Sequence, residues 1–214
     1  MRRRNPRGLA ARLIMIIAAM GLFAVGYYCG NRYQYSGAPP VVQAVLIRPP
    51  VEIPAFTLED AKGLPFAGAE LRERWTLLAF GDLRQARGHL TVNRLLAVHG
   101  ALASDPDLQT LVRIAVAAET QPADLALDFT RLSPALHLVS GDAAELQGLR
   151  AAVGDLPPSG AEAPAPGDGA PVYLIDPRGR LMALFPAGLS PDAMAADLSA
   201  LAARPDLLDP APND

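Results

Sequence analysis

Apolar positions fall into short runs separated by polar, Pro-rich and Gly-rich stretches, and the period of each run predicts an element. Phe56 and Leu58 alternate with polar neighbours, and Asp60 to Gly63 form a turn before Leu64 and Phe66, so a short β-hairpin is expected. Residues 69–74 read as a brief helical turn or loop. WTLLAF at 75–80 is nearly continuously apolar, as in a central parallel strand covered on both faces. Leu90, Leu95, Leu96, Val98 and Leu102 recur at helical spacings and predict a helix over 90–103. A second buried strand is expected at 111–117, broken by Glu119 to Pro122. A helix at 124–132, a strand at 136–139 and a helix at 143–153 follow. Residues 155–171 are rich in Pro, Gly and Ala and predict an exposed loop. Strands at 172–175 and 181–185 flank the turn Asp176 to Gly179. Ser190 caps and Pro191 opens a last helix over 191–203.

The order βαβα, then a β-hairpin and a final helix, is that of an α/β thioredoxin-like sandwich with a central mixed sheet. Ahead of it, residues 13–31 hold no charge over nineteen positions. At about 1.5 Å per residue such a helix nearly spans a hydrocarbon core. Arg2, Arg3, Arg4, Arg7 and Arg12 precede the run, which predicts a cytoplasmic N-terminus. Tyr27, Tyr28, Tyr33 and Tyr35 suit the outer headgroup level, and Tyr27 and Tyr28 stand where a signal-peptidase site would need small residues. The expected organisation is a cytoplasmic basic tail at 1–12, a single transmembrane helix at 13–31 and an extracytoplasmic linker at 32–53. The folded domain at 54–203 and a flexible tail at 204–214 complete it. This implies a single-pass protein of a bacterial inner membrane, in lipid contact through its N-terminal helix, with a periplasmic domain.

With 214 residues, half of them hydrophobic, the chain has material for one ordinary core plus an appendage. Cys29 is the single cysteine and lies in the apolar run, so an internal disulfide, a CxxC redox pair and a cysteine metal cluster are excluded within one chain. Five of the 19 basic residues lie in the first twelve positions, leaving 14 against 22 acidic ones, a net −8 over the remainder. Such a body lacks the phosphate-neutralising surface that nucleic-acid binding needs. A phosphate-cradling P-loop, a dinucleotide fingerprint and a G-x-S-x-G nucleophile turn are all missing from the sequence.

FTLEDAKGLPF at 56–66, WTLLAFG at 75–81 and VYLIDPRGRLMALF at 172–185, behind an N-terminal anchor, resemble the SCO/SenC family of membrane-anchored copper chaperones for cytochrome oxidase assembly. That family carries a CxxxC motif after the FG that ends the first central strand, and a distant His five residues before the Tyr of the YLIDP segment. The resemblance places the two cysteines on Gln85 and His89 and the His on Asp168, so all three expected ligands are replaced. Two thiols four residues apart share one face of a helix start, where the macrodipole favours the thiolates that Cu(I) captures. An amide at Gln85 cannot ionise. His89 and Asp168 remain as candidate metal ligands, and copper is the one candidate cofactor, with none expected to be bound specifically.

Arg84 and Arg87 flank Gln85 near a predicted helix start and are candidates for contact with an anion or a partner protein. His99 falls on a different helix face from His89, and His137 reads as structural. Asp82, Asp124 and Asp128 have no nucleophile fixed beside them by spacing, Ser140 and His137 form no triad, and Lys62 sits in a turn. The expectation is a degenerate, non-catalytic SCO-like assembly or interaction factor anchored in the cell envelope, with a respiratory oxidase assembly protein as partner. The alternative is a copper chaperone using non-cysteine ligands.

Overall fold

The structure, a computed structural model, describes residues 42–154 and 170–204. Eight strands form one mixed sheet: β1 (Val45–Glu52), β2 (Thr57–Asp60), β3 (Pro65–Ala67), β4 (Trp75–Phe80), β5 (Val112–Ala118), β6 (Leu136–Ser140), β7 (Val172–Ile175) and β8 (Arg180–Phe185). The helices are α1 (Ala86–Ala101), α2 (Pro106–Leu111), α3 (Ala123–Leu132), α4 (Ala143–Val153) and α5 (Pro191–Ala202). The strand order is β1-β8-β7-β4-β5-β6-β2-β3. β4, β5 and β6 run parallel, and β7, β8, β1 and the β2–β3 pair add antiparallel on the two sides.

All six residues of β4 are buried, because the sheet is covered on both faces. Trp75, Leu77 and Ala79 join one core with Val92, Leu95 and Val98 of α1 and Met194, Leu198 and Leu201 of α5. Leu78 and Phe80 point the other way, into a second core with Leu146 and Leu149 of α4 and with Phe56, Leu58 and Phe66. This division follows from the two-residue period of a strand. The sandwich and central mixed sheet expected from the sequence are therefore present.

The predicted membrane helix is a different matter. No helix among the described residues is long and apolar enough to cross a membrane. The longest, α1, has 16 residues, about 24 Å at 1.5 Å per residue, and carries Arg87 and Arg94. The span expected at 13–31 lies outside the described residues. The architecture of the described residues is accordingly corrected to the sandwich alone, with no membrane-crossing helix among them. The inner-membrane placement and the lipid contact that rested on that helix are withdrawn with it.

Part of the segment read as linker is β1. It pairs with β8 at Val45↔Leu184 and Leu46↔Ala183, loses register across Arg48, Pro49 and Pro50, and resumes at Val51↔Leu181. Proline donates no ladder bond and is tolerated here because β1 is an edge strand. The backbone N–H groups of Gln43 and Ala44 both donate to Asp197 Oδ2 at 2.8 Å, fastening the approach to β1 onto α5. At the β7–β8 turn, Asp176 Oδ1 accepts from the N–H groups of Arg178 and Arg180, each at 2.9 Å. Its other oxygen pairs with the Arg180 guanidinium at 2.7 Å, and Gly179 supplies the left-handed φ of +83°.

Candidate functional site

The loop between β4 and α1 carries Arg84, Gln85 and, one turn into the helix, His89. Gly81 N–H donates to Ala117 O at 3.0 Å, so the β4–β5 ladder continues one residue past the strand. The chain then folds directly onto the first turn of α1. A Cβ on Gly88 would stand 2.1 Å from the Asp82 carbonyl oxygen, so only glycine lets loop and helix backbones meet there. Gln85 is the N-cap of α1, in extended conformation, and its side chain makes no capping bond. The helix is predicted from residue 90 but begins at 86, because its first turn, ARGH, has no apolar period.

The polar groups of the loop are engaged with one another. Arg84 N–H donates to Asp82 Oδ1 at 2.8 Å, and the Arg84 guanidinium donates from Nη2 to Oδ2 at 2.8 Å and from Nε at 3.0 Å. These bonds, the side-chain ones foremost, hold the Asp82 carboxyl below its ordinary range and raise Arg84. His89 Nε2 lies 2.7 Å from Leu83 O. A carbonyl only accepts, so Nε2 carries the proton and donates. The ring also meets Phe129 of α3 edge-on, with centroids 5.4 Å apart. Gln121 closes the arrangement from the loop after β5: its Nε2 donates to Gly81 O at 3.1 Å and its Oε1 accepts from Leu83 N–H at 3.3 Å.

The structure thus brings Arg84, Gln85, Arg87 and His89 together in one loop and helix turn. Asp168 lies outside the described residues. Arg84, Gln85, Ala86 and Arg87 are exposed, followed by Leu90 at 52% exposure. Asp124 is exposed, and Asp128 pairs with Arg131 at 3.0 Å on α3. His99 lies in the last turn of α1, at the opposite end from His89. Gln121 and Phe129 are functional-site neighbours that the sequence does not announce. Neither has a motif or period that announces it, since each acts on residues thirty or more positions earlier.

Copper does not fit these residues. The Nε2 of His89 is spent on the Leu83 carbonyl, and Gln85 offers an amide where a soft ligand is needed. No group of three or more His, Cys, Asp or Glu that could hold a metal ion occurs among the described residues. The alternative of a copper chaperone using non-cysteine ligands is corrected on that ground for the described residues, among which Asp168 does not fall.

No family model matches the chain, and no curated protein matches it. Solved structures do. Apo Sco1 from Thermus thermophilus is 21% identical, with a TM-score of 0.61 over 77% of this chain and 99% of that one. Copper-bound ScoI from Bradyrhizobium japonicum is 21% identical, with a TM-score of 0.52 over 70% and 98%. BsSco, described as a member of the Sco family of cytochrome c oxidase assembly proteins, is 15% identical, with a TM-score of 0.53 over 73% and 96%. The fold is the thioredoxin-like fold of these proteins.

Proposed function

We propose that this domain is a degenerate, non-catalytic relative of the Sco proteins that serves assembly by contacting another protein. Its contact surface is the turn from Arg84 to Leu90. The carrying observation is the closed set of bonds among Asp82, Arg84, Leu83, His89 and Gln121, which commits the loop's polar groups to holding its shape. A site built for thiol exchange needs two accessible sulfurs, and Cys29, the single cysteine, precedes the sandwich. A rigid loop presenting Gln85, Arg87 and Leu90 outward suits recognition better than chemistry. The likeness to Sco structures supports cytochrome oxidase assembly as the setting.

A photo-crosslinking residue at Gln85, in the full chain expressed in its own cells, tests this. The expected result is one dominant adduct with an oxidase subunit or assembly protein, weakened by Arg87→Glu. Recovery of no oxidase-related protein would overturn the setting. Disulfide reductase activity of the purified domain would overturn the non-catalytic reading.

A further inference from the structure

Arg113 of β5 lies on the second face of the sheet with its side chain only 12% exposed. A guanidinium carries five N–H donors. Its ion-pair partner is Glu70, with Nη1 3.4 Å from Oε2, and Nη1 is buried without a hydrogen bond. Thr76, its register partner on β4, is fully buried, and its Oγ1 also has no hydrogen-bond partner. On the other side, His137 of β6 pairs with Ala115, one step diagonal from Arg113. Phe66 of β3 lies against both side chains, its ring centroid 6.0 Å from the Arg113 Cζ and 5.9 Å from the His137 ring.

Arg113 and His137 sit under a cover held by few ladder positions. β3 pairs only with β2, at three positions, and β2 pairs with β6 at two, on the outer edge of the sheet. After the 3₁₀ turn Gly68–Leu71 the chain is held again, where Glu73, at a left-handed φ of +66°, donates its N–H to Pro177 O. Lifting the hairpin with its turn exposes Leu58, Phe66 and Leu71, but it breaks few ladder bonds and returns Arg113 and His137 to water, which offsets part of that cost. Neither buried donor has room beside it for a ligand while the cover is down, since each atom is inaccessible to solvent.

We infer that the β2–β3 hairpin with its 3₁₀ turn is a flap that opens locally, ahead of global unfolding, and that acid drives the opening through His137. Burial holds the His137 imidazole below its ordinary range, Arg113 and Arg74 push the same way, and Asp60 and Glu70 oppose them. In the open form the imidazole is solvated and takes up a proton near its usual 6.5. As pH falls below that value the open form gains protons first, and its population rises until the closed form titrates too.

Hydrogen exchange of the full chain at pH 7 and pH 5, corrected for intrinsic rates, tests the flap. At pH 7 the amides of 57–67 are expected to show about tenfold or more less protection than those of β4 and β5. At pH 5 their protection falls severalfold further, while the central strands hold. His137→Gln abolishes the pH response, and Arg113→Met raises hairpin protection. Equal protection of hairpin and β5 at both pH values would overturn the flap even if neither variant folds. A pH response kept in His137→Gln would overturn the role of His137.

Discussion

The Nε2–H of His89 donates to the carbonyl oxygen of Leu83 across 2.7 Å, tying the loop before α1 to a residue in that helix's own first turn. His89→Ala removes the donor and the edge-on contact with Phe129. The expected loss is about 1–3 kcal/mol, read as a lowered urea midpoint at unchanged m. His89→Gln, which keeps a donor but not the ring, should lose less.

Arg94 of α1 donates from Nη1 to Ala170 O at 3.0 Å and from Nη2 to Pro186 O at 2.8 Å and Leu189 O at 2.6 Å. Desolvation lowers its affinity for a proton, yet three carbonyls hold the charged form in place. Arg94→Met should cost about 2–4 kcal/mol by chemical denaturation, because carbonyls that now accept charge-assisted bonds lose their donor. Arg94→Lys should recover less than half of that, since an ammonium lacks the planar fork that reaches separate acceptors.

Two glycine substitutions should move stability in opposite directions. Gly88→Ala drives a methyl against the Asp82 carbonyl and should cost more than about 3 kcal/mol, because the carbonyl it meets is backbone and a Cβ has no rotamer by which to avoid it. Gly148, inside α4, has nothing within 4 Å of an added Cβ, and Gly148→Ala should stabilise by about 1 kcal/mol. Thermal unfolding of the two variants beside the wild type decides the matter.

The Asp82–Arg84 pair predicts a titration. Hydrogen bonds from Arg84 hold the Asp82 carboxyl below its ordinary 3.8. The pair's contribution to stability is therefore present above that value and lost as pH falls through the lowered one. Carboxyl-carbon NMR of Arg84→Met should show the Asp82 midpoint rising toward the ordinary value. An unmoved midpoint would assign the depression to another cause.

Legibility varied with the kind of signal. β4 and the β7–β8 hairpin could be read directly, because a continuous apolar run and the turn residues Asp176 and Gly179 are local signals. β1 could not: two prolines interrupt its period, it pairs with β8 far along the chain, and its approach is fastened by Asp197, some 150 positions away. The site was half legible. Its positions followed from the resemblance, counted from the FG that ends β4, but the bonds through Gln121 and Phe129 depend on tertiary placement that no spacing encodes. The short helix α2 is missed because six residues are too few to set a helical period, and its last residue, Leu111, reads as the start of the apolar run of β5.

Asp197 also decides where the domain can be cut free for study. A fragment beginning at Pro54 would discard the strand that borders β8 and strip a carboxylate that is 5% exposed of both its amide donors. It would leave Leu181 and Ala183 on a raw sheet margin, the kind of edge that recruits a neighbouring copy and aggregates. An excised domain that starts no later than Val42 keeps that margin closed.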